Sequence, residues 1–381
     1  MKILKPLLVL FALIILIPLF GYFLWVIQKS DTMDIMIVNK TVEKVSKNEM
    51  RSLNWVLNYN KIVKSSSNPY NYEKDYFGYH PEPVYEGQYI QSFKLKDIAT
   101  LKDQYEALIY LDNEGVKLVD PVKSKNSYYG GFNQSDYLLL KEMSKAGKMI
   151  IAEYNFFSEP TEDLVRFNTE QFLDVYSVHW RGKYFNNLDK KKIVEDIGQH
   201  WITDYKDISG EEWLYSGPGI VLINDKQSRI LVFPADEYMT EEFPSIETNS
   251  DLASFFKVKE SLPYTGWFQI VYEGKNEVIS NFNLNLNEEA VKILMGSGLE
   301  GKFPATIALN NPHQYFFAGD YSKQWVFLSC SKVRIVSDLI HIICRAMAKN
   351  PGQFFHNYYL PLTSVILENY QSSLNNVEDS E

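Results

Sequence analysis

The chain has 381 residues, a formal net charge of −10, 45% hydrophobic residues, 15% aromatic residues and two cysteines. That length supports a full core, in one large domain or two. The acidic balance, with no basic stretch interleaved with aromatics, argues against a nucleic-acid partner.

Residues Leu7 to Ile27 form an apolar run broken only by Pro18 and Gly21. A helix needs about 20 such residues to cross the hydrocarbon core of a bilayer. Lys2 and Lys5 precede the run, and Tyr22 and Trp25 sit near its far end. Positive charge before the span puts the N-terminus in the cytoplasm and the rest of the chain outside it. A cleaved signal peptide is the rival reading, but Gln28 to Met33 offers no small-x-small site. No cysteine follows the run to make a lipoprotein. The expected organisation is a cytoplasmic tail (1–6), a membrane helix (7–27), an α/β domain (34–240), a mixed strand and helix extension packed on it (241–371) and an acidic tail (372–381).

Asp34 to Val38 reads as the first buried strand, ending in Asn39-Lys40-Thr41. Ser46 and Glu49 have capping-box spacing before a helix with its stripe at Leu53, Val56, Leu57 and Ile62. Ser65 to Gln88 reads as a long aromatic loop, expected to form an ordered lid or rim. The centre of the pattern runs from Tyr105 to Phe157. Ala107 to Leu111 ends in Asp112-Asn113-Glu114-Gly115; a helix follows Gly130-Gly131 and stops at Gly147; Met149 to Ala152 ends in Glu153-Tyr154-Asn155. Short apolar runs bounded by Gly and polar residues suit parallel strands covered on both faces, joined by a crossover helix.

Beyond it, helical spacing appears at Leu164, Phe167, Phe172 and Val175. Ile220–Ile223 and Ile230–Phe233 read as a hairpin beside the parallel core, and Trp267–Tyr272 with Glu277–Phe282 as another. A short helix from Glu288 ends at Gly296, strands follow at Pro304–Leu309 and Gln314–Ala318, and helices cover Val333–Ala348 and Gln353 to about Tyr370. Arg334, Asp338, His341 and Arg345 keep the first of these from being a second span. The expected fold is α/β, a mostly parallel sheet with antiparallel additions. Cys330 and Cys344 read more simply as two thiols than as a bridge, and no Cys/His cluster has zinc spacing, so neither metal nor cofactor is expected.

In open α/β sheets, ligands bind outside the carboxyl ends of the strands. Asn39, Asp112, Glu114, Glu153 and Asn155 stand at such ends. Asp112 and Glu153 form a candidate carboxylate pair of the kind glycoside hydrolysis uses, with His179 as proton shuttle and Arg181 as anion clamp. The bland alternative has these acids and amides capping loops. No G-x-S-x-G elbow, Walker A loop, Rossmann fingerprint or H-E-x-x-H occurs.

The strand ends at Asp112 and Asn155, the Gly130-Gly131 entry to a helix, and Gly147-Lys148 before a buried strand resemble the class I glutamine-amidotransferase-like fold. That resemblance implies a flavodoxin-like sheet over Asp34 to Phe233. It also implies a nucleophilic Cys after a central strand, and here the comparable turn reads Ala152-Glu153-Tyr154-Asn155, so amidotransfer is not expected. The whole chain is similar to a bacterial membrane-anchored family that carries no assigned activity. The residues therefore favour a single-pass, extracytoplasmic protein binding a glycan or envelope partner through Asn39, Glu114, Asn155 and Arg181. The alternative is a glycan hydrolase using Asp112 and Glu153, with His179.

Overall fold

A computed structural model describes residues 4–42, 44, 50–82, 89–119, 126–347 and 349–378; side chains are described from Leu16 onward, apart from those of 119, 126, 127, 334, 377 and 378. The Ser46–Glu49 capping box, Lys2, Pro83 and Tyr85 lie outside the described residues.

The protein is a mixed α/β fold built on a ten-stranded sheet. Five strands at its centre are parallel: Ile35–Asn39, Phe77–His80, Ala107–Tyr110, Met149–Ala152 and Gln314–Phe317. Numbered as they occur in the chain, they lie side by side in the order 2-1-3-4-5. Antiparallel strands extend both edges. Tyr89–Gln91 pairs with Phe77–His80. On the other side Lys302–Ala308, Glu277–Asn283, Ser245–Thr248 and Ser261–Pro263 continue the sheet. The 241–371 extension thus joins the parallel core edge to edge, through Gln314–Phe317 on Met149–Ala152.

Every residue of Ile35–Asn39, Ala107–Tyr110 and Met149–Ala152 is buried. Parallel strands covered by helices on both faces need no polar side, which is why these runs carry no alternation. Helices Ile98–Gln104, Gln134–Lys145 and Asp163–Leu173 pack together as one group, and Met50–Tyr59 with Leu360–Glu378 as another. The Gln134–Lys145 helix is capped by Asn133, whose side chain accepts from the N–H groups of Ser135 and Asp136. Under it Lys40 Nζ donates to the Gly131 carbonyl (2.8 Å) and to Asp136, a buried pair tied further by Tyr110 Oη.

A second, four-stranded antiparallel sheet runs Arg229–Pro234, Gly219–Asn224, Tyr176–Phe185, Phe268–Tyr272. Its side chains alternate between two cores. Ile220 and Leu222 join the main core, while Val221 and Ile223 pack with Phe185, Trp201 and Trp213 under helices Lys190–Ile197 and Gln199–Ser209.

Five expectations change. The 65–88 stretch carries the parallel strand Phe77–His80, hidden in sequence by its Gly78 and its four-residue length. The Met50–Tyr59 helix stops before Ile62 because Lys61 turns into positive φ, and Ile62 starts a short strand. In the Asp163–Leu173 helix, Leu164 and Phe167 are exposed, and the buried face is Val165, Arg166, Thr169 and Leu173. The Ile220 and Ile230 hairpin belongs to the second sheet, not to the parallel one. Phe268–Tyr272 and Glu277–Asn283 do not pair: the chain changes sheets between them. Cys330 and Cys344 are free thiols, both half-buried.

The first helix spans Leu4–Ile27. Among the described residues, no helix is long and apolar enough to cross a membrane.

Candidate functional site

A cleft of about 480 Å³ opens at the carboxyl ends of the parallel strands. Thr41, Asp112, Glu114, Tyr154 and Asn155 line it from the main sheet, and Arg181 and Trp267 from the second sheet. Tyr128, Asp196, His200 and Lys323 complete its walls.

The floor is a set of tight local turns. Asn39 Oδ1 accepts from Thr41 N (3.1 Å), and Asp112 Oδ1 from Glu114 N (2.8 Å), so each strand end folds on its own side chain. The Lys40 N–H donates to the Asp112 carbonyl (2.8 Å) and Thr41 Oγ1 accepts from Gly115 N (2.8 Å), locking the two turns together. Gly115 has φ +99°, and a Cβ there would stand 2.1 Å from the Tyr129 carbonyl; only glycine lets the paired strands Val116–Val119 and Asn126–Tyr129 close against this turn. Asn155, in a left-handed conformation at φ 64°, reaches back so that its Nδ2 donates to Asp112 Oδ1 (3.1 Å) and Glu114 Oε2 (3.4 Å).

Arg181 supplies the opposing charge. The register of its strand shifts between Ser177 and Arg181, a bulge that re-aims the side chains beyond it. Its guanidinium lies 5.4 Å from the Trp267 ring centroid, 3.3 Å from Asp225 and 3.8 Å from Glu114. Although 41% of the Glu114 side-chain surface opens to the cleft, the carboxyl sits deep among protein atoms. That burial, then the neighbouring Asp112, pushes its pKa up, with Arg181 pulling the other way. Burial likewise raises Asp225 against the pull of Arg181. Tyr154 is buried and held well above the ordinary tyrosine range, chiefly by desolvation. Asn155 Oδ1 is buried without a hydrogen-bond partner, and the Tyr154 hydroxyl is buried beside the Arg181 guanidinium.

Of the residues singled out in the sequence, Asp112, Glu114, Asn155 and Arg181 meet in this cleft. Asn39 is buried beneath it, as the base of the Thr41 turn. Glu153 is not part of it. Its Oε1 accepts from Ser322 N (2.5 Å) in a wholly buried setting, and the acid beside it is Asp320. Desolvation and Asp320 raise its pKa far above the carboxylate range. The expected Asp112–Glu153 pair is therefore not assembled in one cleft.

His179 is also displaced. At φ 62° in the bulge it lines a small neighbouring cavity with Glu159, Arg166 and Lys226. Burial, then the charges of Arg166 and Lys226, lowers its pKa to about 4, so it is neutral near pH 7. None of the described residues of the aromatic loop, 65–82, lines the cleft. Sequence reading missed Trp267, Tyr154, Asp225 and Lys323. The one signal for Tyr154 was its place between two polar strand-end residues; the others come from elements far along the chain.

No family model, curated protein or solved structure matches this chain.

Proposed function

We propose that this chain is a single-pass, membrane-anchored protein whose α/β domain stands outside the cytoplasm and binds a glycan or envelope partner in the strand-end cleft. One observation carries the binding half: Asp112, Glu114, Asn155 and Arg181, far apart in sequence, converge on one cleft. The strand order 2-1-3-4-5 is that of a flavodoxin-like sheet, in which ligands bind where the order reverses, between the first and third strands. Here those strands end at Asn39 and Tyr110, and Thr41, Asp112 and Glu114 stand just beyond them. Buried polar groups are costly unless they pair, and Asp112, Glu114 and Arg181 line the cleft with groups that suit a ligand hydroxyl. Carboxylate acceptors, an arginine donor and the Trp267 ring suit a polyhydroxyl ligand.

Kinship with the amidotransferase-like fold belongs to the same reading, as binding without the nucleophile. The turn after Met149–Ala152 carries Glu153, and neither cysteine lines the cleft. The hydrolase alternative needs two carboxylates facing one substrate, and Glu153 faces Ser322 and Asp320 instead.

The membrane half rests on the sequence alone, on the Leu7–Ile27 run and on Lys2 and Lys5 before it. A reporter active only outside the cytoplasm, fused after Glu381, should be active; silence with the protein in the membrane fraction overturns the orientation. Titrating the detergent-solubilised chain with neutral oligosaccharides should quench tryptophan fluorescence. Asp112→Asn with Glu114→Gln should weaken binding at least about tenfold, the loss of roughly 1.4 kcal/mol. Equal affinity in the variant overturns the site.

A further inference from the structure

The Arg334–Ala346 helix is amphipathic with its faces reversed. The side chains of Ser337, Asp338, His341 and Arg345 turn toward the protein. Asp338 accepts from the Tyr59 hydroxyl (2.9 Å), Ser337 Oγ donates to the Val333 carbonyl (3.2 Å), and Arg345 Nη1 donates to the Lys257 carbonyl (2.7 Å). His341 lies against His356, ring centroids 6.0 Å apart. One row of its apolar side chains points away, while Ile335, Val336 and Ile340 are half-buried. Leu339, Ile342, Ile343 and, just past the helix, Met347 are 55%, 64%, 50% and 48% exposed. Positions i, i+3, i+4 and i+8 form one stripe. A contiguous apolar stripe of this kind marks a contact surface rather than scattered exposure.

What meets that helix decides the partner. The N-terminal helix packs on its start, where Gly21 allows the close approach: a Cβ there would stand 2.9 Å from Val333 Cγ1. The flank of the N-terminal helix turned away from the protein is itself apolar and exposed, at Leu19, Phe20, Phe23 and Val26. Gly21 precedes Ile27, the last residue of that helix, by six residues, about 9 Å along the axis. Near the end of that helix, the Trp25 indole donates to the Asn58 carbonyl (2.7 Å), with Lys61 and Lys332 5.2 and 5.5 Å from its ring centroid. Tryptophan flanked by lysine is the usual composition at the headgroup level of a bilayer.

We infer that the Arg334–Ala346 helix lies in the bilayer interface beside the anchor, with the Leu339–Met347 stripe in the acyl chains. The inference rests on the membrane-anchor reading above and adds a second, parallel attachment. Continuity commits the stripe to lipid. It begins at Leu339, about 6 Å along the helix from Ile335, where the anchor touches about 9 Å inside its own end, and interfacial helices bury their apolar face about 5–10 Å deep. Two attachments hold the domain at one tilt, whereas a single span leaves it free to swing.

The test uses the wild-type full chain in phosphatidylcholine–phosphatidylglycerol vesicles containing a lipid with a photoactivatable diazirine on its acyl chain. After illumination, peptides from 7–27 and from 335–347 should both carry lipid adducts, and peptides from the exposed Lys190–Ile197 helix none. Leu339→Ser, Ile342→Ser and Ile343→Ser together should remove the second adduct several-fold while leaving the first and the melting curve unchanged. Adducts on 7–27 alone overturn the interfacial helix and leave the anchor standing. Adducts on neither overturn the anchor and the inference with it. A bare stripe that crosslinks to a second copy of the chain puts protein there and overturns the lipid assignment.

Discussion

Glu153→Gln distinguishes a buried structural acid from a working one. Glu153 is 1% exposed, and its carboxyl accepts from the Ser322 N–H, bonding that burial outweighs. Burial and the nearby Asp320 both disfavour its charge. Gln keeps the Oε1 acceptor and the shape but removes the ionisation. The sign follows from linkage. A carboxyl raised in the folded state holds its proton where the unfolded chain has lost it. Its stability contribution is complete below the unfolded pKa, about 4.3, and falls as pH rises toward the folded value. Each unit of raising is worth about 1.4 kcal/mol, so wild type should lose stability between pH 5 and pH 8 that the variant keeps. A gain for Glu153→Gln on the order of 1–3 kcal/mol at pH 8, shrinking at pH 5, is expected. Thermal melts of the detergent-solubilised chain at the two pH values measure it. A variant destabilised equally at both would refute the reasoning, because the charge would then be in use.

Acid acts oppositely on the histidines. His356 and His179 are both lowered to about 4, chiefly by burial, so the folded chain resists protonation as pH falls from 6.5 toward 4 while the unfolded chain does not. Stability should drop across that window by about 1–2 kcal/mol for each, after discount for partial exposure, and His356→Gln should flatten its share; an unchanged slope contradicts it. Gly78→Ala should cost about 2–4 kcal/mol, because φ there is +146° and a Cβ would stand 1.7 Å from the Asn39 carbonyl; a wild-type melting temperature would mean that the Phe77–His80 strand does not pair as described.

The parallel core was legible because buried strands write themselves as short apolar runs. Ala107–Tyr110 and Met149–Ala152 stand where their sequence puts them, and the polar residues after them reach the strand-end cleft. Local backbone breaks hid the rest. Glu153 and Asn155 would share a face in an extended chain, but Asn155 turns left-handed, and only Asn155 reaches the cleft. His179 and Arg181, also two apart, are split by the bulge. The two runs of 267–282 look like a hairpin because they are adjacent in sequence; only the packing of two sheets sends them apart. The 334–346 helix reads as an ordinary amphipathic helix, since periodicity reports that two faces exist and not which one turns inward.

The central claim is that the strand-end cleft binds the ligand. A structure of the full chain determined with chito-oligosaccharide tests it most directly. Sugar density is expected against Trp267, with hydroxyls within hydrogen-bond distance of Asp112, Glu114 and Arg181, and none at Glu153. Sugar bound elsewhere on the chain, with this cleft empty at saturating ligand, would contradict it.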